Sequence, residues 1–460
     1  MIFFPPPSSS FGRGSVNAFR TFCVTLLLMT ALATAQTQTD FVFGDALPDA
    51  PELAARGDYS VGVKTLQTVH PDQLDVLAVT PETPNPRYGR PLTLEVFYPG
   101  VVPAGQEART TYEDVYGYGP NNPERPNDPL TFDGRALRDA APDAGGAPYP
   151  LVVLSHGYPG SRLMMSYLAE NLASKGYVVA AVGHTDSTFE NVGAFSSTLV
   201  NRAEDQLFVI DEMARRGGSE GFLNGLVDAD TSAIVGYSMG GYGALNAAGA
   251  GYSEASAALP FLPAGTLSPR VTGNVEPDPR IKAVVAFAPW GGEAALTAIG
   301  VPGVSFFEAD GLAGILAPTL FVVGDQDDVS GYEGGVKTLF EGAVNSDRFM
   351  LVYQNARHNV APNPPPVDAP NLDEYARYAE FAWDARRVNN VNQHFVTAFL
   401  NGVLKDGDTE PYLNLTERSN EGVWAQNEDG TFAPEHTYWT GFAERTAVGL
   451  EFYHLEAEGE

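Results

Sequence analysis

One five-residue stretch, Gly236-Tyr237-Ser238-Met239-Gly240, constrains the chain more than any other. An apolar run precedes it and a glycine-rich, helix-forming run follows. A serine raised on a tight strand-to-helix turn needs glycine two residues away on either side, because side chains there would collide. Such a stretch can arise by chance in a chain with 48 glycines. The strand before it and the helix after it favour the catalytic interpretation, with Ser238 as the nucleophile.

Strands and helices alternate from residue 149 onward, which predicts an α/β fold with a mostly parallel central sheet and helices on both faces. Two earlier stretches, 59–63 and 92–98, alternate in the manner of a half-buried antiparallel strand pair. The predicted core strands lie at 151–154, 177–182, 233–235, 281–287, 319–323 and 349–353. Because each parallel strand ends at the same edge of the sheet, loops that follow these strands are expected to meet there.

The N-terminus has the composition of a secretory signal peptide covering residues 1–35. Arg13 and Arg20 precede a short apolar run, and small residues follow at 33–35. The only cysteine, Cys23, lies inside this segment, so a mature chain would contain no disulfide, cysteine metal site or catalytic thiol. The sequence therefore predicts a protein that is secreted or periplasmic.

The mature part, 36–460, is predicted to be a single domain with two additions. Residues from about 100 to 148 are rich in Gly, Pro, Asn and Asp, which indicates an insertion with little regular structure. A linker between domains is the competing interpretation. The second addition is a C-terminal extension over about 406–460, in which 447–453 could form an added strand.

The formal net charge is −30, which disfavours nucleic acid and anionic membranes as partners. Beyond the signal segment, no stretch is long and apolar enough to predict stable membrane insertion. Oligomeric state is not predicted by any pattern in the sequence.

A serine nucleophile needs a base to accept its proton and an acid to orient that base. In this architecture the acid and then the histidine follow the serine along the chain, on loops at the ends of strands. His358 lies in the loop after the last core strand and is the predicted base. For the acid we select Asp327, because Asp325 is close enough to its strand to serve the turn; Asp328 is the next option.

A calcium loop is rejected for this acidic turn because Val329 occupies a position that requires a ligand. No metal and no cofactor are predicted.

The anionic intermediate of acyl transfer needs hydrogen-bond donors aimed at its oxygen. The predicted pair is the backbone N–H of Met239, directly after the nucleophile, and that of Tyr158, directly after His156-Gly157. His156 itself is expected to be structural. Tyr158, Tyr237 and Trp290 would line an aromatic substrate pocket, although each could equally belong to the core.

The segments 155–158, 183–187 and 236–241, together with the Asp327 and His358 loops, resemble the α/β-hydrolase superfamily. Within it they are most similar to platelet-activating factor acetylhydrolases and to bacterial proteins described as predicted dienelactone hydrolases. The resemblance implies a metal-independent serine esterase that acts on short or oxidised acyl esters, and hence a small-molecule or lipid-like substrate. Dienelactone hydrolases proper use a cysteine nucleophile, so Ser238 argues against that reaction.

The function predicted from the sequence is therefore an exported carboxylic-ester hydrolase. A serine peptidase or a polyesterase with the same catalytic groups is the nearest alternative. A hydrolase fold that binds ligands without catalysis is the alternative from a different class.

Overall fold

The structure is a computed structural model that describes residues 41–116, 127–218 and 221–459. The predicted signal peptide and Cys23 lie outside these residues, so the prediction of export stays a prediction. The boundary between the signal and the mature domain is likewise untested.

Thirteen strands occur in the described ranges. They are β1 (Val61–Leu74), β2 (Arg87–Val101), β3 (Thr110–Tyr116), β4 (Asp128–Gly134), β5 (Ala136–Arg138), β6 (Ala141–Pro142), β7 (Tyr149–Ser155), β8 (Val178–Gly183), β9 (Val227–Tyr237), β10 (Ile281–Phe287), β11 (Thr319–Gly324), β12 (Arg348–Tyr353) and β13 (Leu450–Leu455).

The α-helices of the same ranges are α1 (Ser166–Ser174), α2 (Phe195–Gly217), α3 (Met239–Ala247), α4 (Glu254–Ala257), α5 (Glu293–Ala298), α6 (Ala309–Leu312), α7 (Lys337–Gly342), α8 (Leu372–Tyr375) and α9 (Ala385–Lys405). Short 3-10 helices occupy Glu52–Ala54, Val76–Ala78, Ser268–Arg270, Glu410–Tyr412 and Ser419–Glu421, and a π-helical turn covers Tyr332–Val336.

The central sheet has the strand order β13-β12-β11-β10-β9-β7-β8-β2-β1-β5. Strands β7 to β12 run parallel to one another. Strand β2 is antiparallel to both of its neighbours, β8 and β1, and β13 is antiparallel to β12. This arrangement confirms the predicted fold class, including the antiparallel N-terminal pair. The strand expected at 447–453 is also present as β13, which begins three residues later than predicted, directly after the left-handed backbone of Gly449 at φ +88.

Two apolar clusters cover the two faces of the sheet. Side chains of β7 alternate between them, so that Val152 and Leu154 join the cluster under α1 and α9, and Leu151 and Val153 join the one under α2 and α3. Alternation along a strand with helices on both sides buries nearly every side chain of the parallel strands. The sheet edge at which these strands end is therefore a rigid platform for the loops that follow.

The expectation of little regular structure over 100–148 is wrong for its described part. Strands β3 and β4 form a separate antiparallel pair, with Tyr112 opposite Phe132. Tyr112 and Leu130 are buried against the cluster under α1. The segment is rich in Gly, Pro, Asn and Asp, but the short run at 110–116 contains Thr, Tyr and Val, which favour strands. Tertiary packing on the core then stabilises the pair.

Candidate active site

Ser238 lies on the predicted turn, between the last residue of β9 and the first residue of α3. Its backbone is in a sparsely populated region, with φ 54 and ψ −113. A Cβ atom on Gly236 would lie 2.2 Å from the Gly240 carbonyl oxygen, and one on Gly240 would lie 2.1 Å from the Ser155 carbonyl oxygen. Both distances are far below van der Waals contact. No residue larger than glycine fits at either position, which explains how the strained turn is accommodated.

The structure brings Ser238, His358 and Asp327 into one hydrogen-bonded chain. His358 Nε2 is 3.0 Å from Ser238 Oγ, and His358 Nδ1 is 3.0 Å and 2.9 Å from the two carboxylate oxygens of Asp327. Loops after β11 and β12 carry the acid and the histidine, and the turn after β9 carries the serine. All three side chains are buried. The geometry is that of a nucleophile, a base and an orienting acid, although the catalytic roles stay predictions.

The environment of Asp327 keeps its carboxyl ionised. Burial alone would raise the pKa of this group, but the charge and hydrogen bond of His358 oppose that effect. The backbone N–H groups of Val329 and Ser330 add bonds of 2.9 Å and 2.8 Å to Oδ1. Together these contacts hold the pKa of Asp327 below its usual value. The carboxylate can therefore fix the tautomer of His358 with Nδ1 protonated and Nε2 free to accept a proton.

The other two acids of the same turn have different partners. Asp325 Oδ1 accepts a hydrogen bond of 2.6 Å from the backbone N–H of Asn355, so this residue joins the two loops at their base. Asp328 forms a 2.8 Å ion pair with Arg357 on the surface. Of the three candidates in the sequence, the structure brings Asp327 to His358.

Tyr237 does not line the cavity beside Ser238, contrary to the expectation for this residue. Its ring lies 5.2 Å from the His358 ring and its hydroxyl donates to Asn359 Oδ1 at 3.0 Å. As the last residue of β9, Tyr237 still follows the alternation of the strand and joins the apolar cluster under α1 and α9. Its contacts indicate that it supports the histidine loop.

The two predicted oxyanion donors belong to backbone segments that lie close to Ser238. Met239 is the first residue of α3, and the first four N–H groups of a helix have no partner within the helix. Tyr158 follows Gly157, where an added Cβ atom would be 3.4 Å from Ser238 Cβ. His156 Nε2 accepts a hydrogen bond from the backbone N–H of His184, and His156 Nδ1 is 2.7 Å from the Gly157 carbonyl oxygen. These contacts give His156 the structural position that was expected.

A cavity of about 630 Å³ opens beside Ser238, and its lining is mostly apolar. Trp290 lines it, as predicted. Sequence reasoning missed most of the other lining residues, which are Ala194, Phe195, Ser196, Phe261, Ile299 and Val329. They come from four separate segments, one of which is the start of α2, and share no motif, so no local pattern could have identified them.

The described residues contain neither a cluster of metal-binding side chains nor a helix that could span a membrane. Among them, no group of three or more His, Cys, Asp or Glu side chains is arranged to hold a metal ion. Within the same residues, each helix is too short or too polar to cross a membrane.

Comparison with known proteins reveals similarity to esterases. Residues 136–212 match the family model of platelet-activating factor acetylhydrolase, isoform II. Cutinase est1 of Thermobifida alba and cutinase 1 of Thermobifida cellulosilytica are each 30% identical over 115 residues. These alignments cover 25% of this chain, and 35% and 40% of the respective cutinases. The chain thus spans well under half the length of the curated relatives it matches.

Among solved structures, that of a ferulic acid esterase from Streptomyces cinnamoneus matches this one with 22% sequence identity and a TM-score of 0.49. The alignment covers 78% of this chain and 94% of that one. The family and cutinase matches confirm the predicted resemblance to esterases of the α/β-hydrolase type. The family match ends at residue 212, before Ser238, Asp327 and His358, so the roles of these residues depend on their geometry.

Proposed function

We propose that this protein is a serine carboxylic-ester hydrolase in which Ser238, His358 and Asp327 form the catalytic triad. The observation that carries the proposal is the position of the His358 ring, within 3.0 Å of both the Ser238 hydroxyl and the Asp327 carboxylate. Serine alone is too weakly nucleophilic at neutral pH, and this arrangement supplies the base that it needs.

In the first half of the reaction, His358 Nε2 accepts the Ser238 proton while Oγ attacks the acyl carbon of the ester. The backbone N–H groups of Tyr158 and Met239 stabilise the oxyanion that forms. His358 then returns the proton to the alcohol oxygen, the carbon–oxygen bond breaks and the alcohol leaves. In the second half, His358 accepts a proton from water and the hydroxide attacks the acyl-serine. His358 then returns the proton to Ser238 Oγ as the acyl–oxygen bond breaks, which releases the carboxylic acid and restores Ser238.

The substrate we propose is a small ester with a short or oxidised acyl chain. A cavity of about 630 Å³ accommodates both the acyl group and the alcohol of such an ester. Its mostly apolar walls favour uncharged acyl and alcohol groups. The match to an acetylhydrolase family model supports the same substrate class.

A polyesterase is the second candidate, and one observation favours it. Phe261, Ile299 and Val329 line the cavity and are also exposed to solvent. Apolar side chains at a cavity mouth can contact the surface of a solid or aggregated ester. The cutinase similarity is compatible with this candidate.

The test combines substrate profiling with active-site labelling of the purified protein. We expect kcat/KM to be highest for p-nitrophenyl acetate and butyrate and to fall toward the dodecanoate. A fluorophosphonate probe should modify the peptide that contains Ser238, as located by mass spectrometry. Absence of both hydrolysis and labelling would leave a ligand-binding protein. Faster release of acid from dispersed polycaprolactone than from soluble esters would favour the polyesterase.

We also propose that the protein is exported, from the signal-peptide pattern in residues 1–35. Edman sequencing of protein recovered from the periplasm or medium should begin near Gln36. Retention of Met1 in protein found only in the cytoplasm would contradict export.

A further inference from the structure

A buried arginine, Arg202, lies behind the loop that supplies one oxyanion donor. It projects from α2 and is 1% exposed. Its guanidinium donates hydrogen bonds to the carbonyl oxygens of His156 and Gly157 and to the hydroxyl of Ser187. Two of its three partners are therefore backbone carbonyls of the loop that precedes Tyr158.

The Gly157 carbonyl belongs to the same peptide unit as the N–H of Tyr158. A trans peptide is planar, so its N–H points away from its C=O. Arg202 Nη2 lies 3.4 Å from the Gly157 oxygen, and His156 Nδ1 lies 2.7 Å from it. Donors that hold the carbonyl on one side therefore aim the Tyr158 N–H toward the opposite side. Tyr158 lines the cavity together with Ser238.

The charge of Asp205 favours the buried Arg202 cation, but it does not explain where the guanidinium points. The nearby carboxylate Asp205 is already bonded by Arg90, at 2.9 Å and 3.0 Å, and by His184 Nδ1 at 2.9 Å. A cation removed from water is costly unless its hydrogen bonds are satisfied. Burial lowers the pKa of Arg202, but the guanidinium stays charged at neutral pH. Two of the three hydrogen bonds of Arg202 go to the loop beside the nucleophile.

One turn further along α2, a second side chain bonds the backbone beside Met239. Gln206 donates a 2.9 Å hydrogen bond to the carbonyl oxygen of Gly240. Gly240 follows Met239, whose N–H is the second oxyanion donor. One face of α2 thus contacts both backbone segments that supply the donors.

We propose that Arg202 is a positioning residue of the oxyanion hole. It fixes the Gly157–Tyr158 peptide so that the Tyr158 N–H faces the tetrahedral intermediate, and it places a positive charge behind that peptide. Polarisation of the carbonyl by a charged donor strengthens the N–H as a donor in turn. This inference rests on the proposed esterase function and names the residue that prepares its transition-state contacts.

The test replaces Arg202 by methionine and by lysine, with Arg348→Met as the matched control. Arg348 is also buried, at 3% exposure, and donates to backbone carbonyls, including those of Phe340 and Ser346. It begins β12, whereas the catalytic loops follow the other ends of the strands. Kinetics with p-nitrophenyl butyrate and inhibition by an alkyl boronic acid, which forms a tetrahedral adduct on serine, are measured for each folded variant.

For Arg202→Met we expect kcat to fall about 100-fold with KM changed less than about threefold, as for loss of one oxyanion donor. Boronic acid affinity should fall in parallel, because the adduct uses the same N–H groups. Arg202→Lys should show a loss of about 10-fold, since lysine keeps the charge without the planar fork. Arg348→Met should lower the melting temperature and leave kcat of the folded protein within about twofold.

A folded Arg202→Met protein with unchanged kcat would overturn the inference. A lower kcat with unchanged boronic acid affinity would also overturn it. The same holds if Arg348→Met loses as much kcat as Arg202→Met. If the methionine variant does not fold, the lysine variant is judged by the same criteria. Failure of the esterase proposal itself is distinguishable, because the wild-type protein would then hydrolyse no ester or Ser238→Ala would remain active.

Discussion

Replacing Ser238 by alanine is expected to lower kcat for p-nitrophenyl butyrate by at least about 10⁴-fold. Without the hydroxyl, no acyl-enzyme can form, and His358 has no proton to accept from position 238. The oxyanion donors and the cavity remain, so a small residual rate above the uncatalysed reaction is expected. Steady-state kinetics and loss of fluorophosphonate labelling measure the effect.

Two controls test whether the loss of activity in Ser238→Ala comes from unfolding or from replacing any serine by alanine. Alanine is compatible with the space around Ser238 Cβ, and the strained backbone is unchanged, so the melting temperature should shift by no more than a few degrees. Ser60, an exposed serine before β1, provides a matched control: Ser60→Ala should retain wild-type kcat. Full activity in Ser238→Ala would place the nucleophile elsewhere and end the triad proposal.

Replacing Asp327 by asparagine is expected to lower kcat by about 10⁴-fold at neutral pH. An amide at this position can donate to His358 Nδ1, which moves the ring proton to Nε2. The ring then has no free lone pair toward the 3.0 Å contact with Ser238 Oγ. Because the backbone N–H groups of Val329 and Ser330 also bond Oδ1, the side chain should keep its place.

Asp328→Asn is the matched control for this prediction. It makes the same chemical change one residue away, at a carboxylate that pairs with Arg357 on the surface. We expect its kcat to stay within about twofold of wild type, since an exposed ion pair contributes little. If Asp328→Asn lost activity and Asp327→Asn kept it, the acid would have been assigned to the wrong residue.

The pH dependence of stability provides a second measurement on Asp327. Its pKa is lower in the folded protein than its usual value near 3.8. A depressed carboxyl pKa contributes stability above the unfolded pKa, and that contribution is lost as the pH falls through the folded pKa. The difference in unfolding free energy between wild type and Asp327→Asn should therefore shrink below about pH 4, as measured by urea unfolding.

The apolar runs of the sequence were sufficient to predict the central sheet. Buried parallel strands consist of short continuous apolar segments, and the helices between them have a repeating apolar face. Both signals are local, so β10 at Ile281–Phe287 was predicted with its observed bounds. The same reasoning placed Ser238, Asp327 and His358 on loops at one edge of the sheet.

Local composition was misleading where tertiary contacts decide the structure. Strands β3 and β4 lie in a segment rich in glycine and proline, yet packing of Tyr112 on the core stabilises them. Tyr237 belongs to the catalytic stretch in sequence, but strand alternation directs it to the core. In both cases the local sequence pattern predicted one structural environment for the residue or segment, and its tertiary contacts place it in a different one.

By itself, then, the sequence determined the α/β class, the glycine-flanked serine and the order of acid and base, because each depends on residue types at short spacing. Only the tertiary structure decided which of three aspartates reaches His358, which side chains line the cavity, and that Arg202 contacts the loop of Tyr158. Those contacts join residues tens to hundreds of positions apart. Their distances depend on how whole helices pack against the sheet, which no short stretch of sequence encodes.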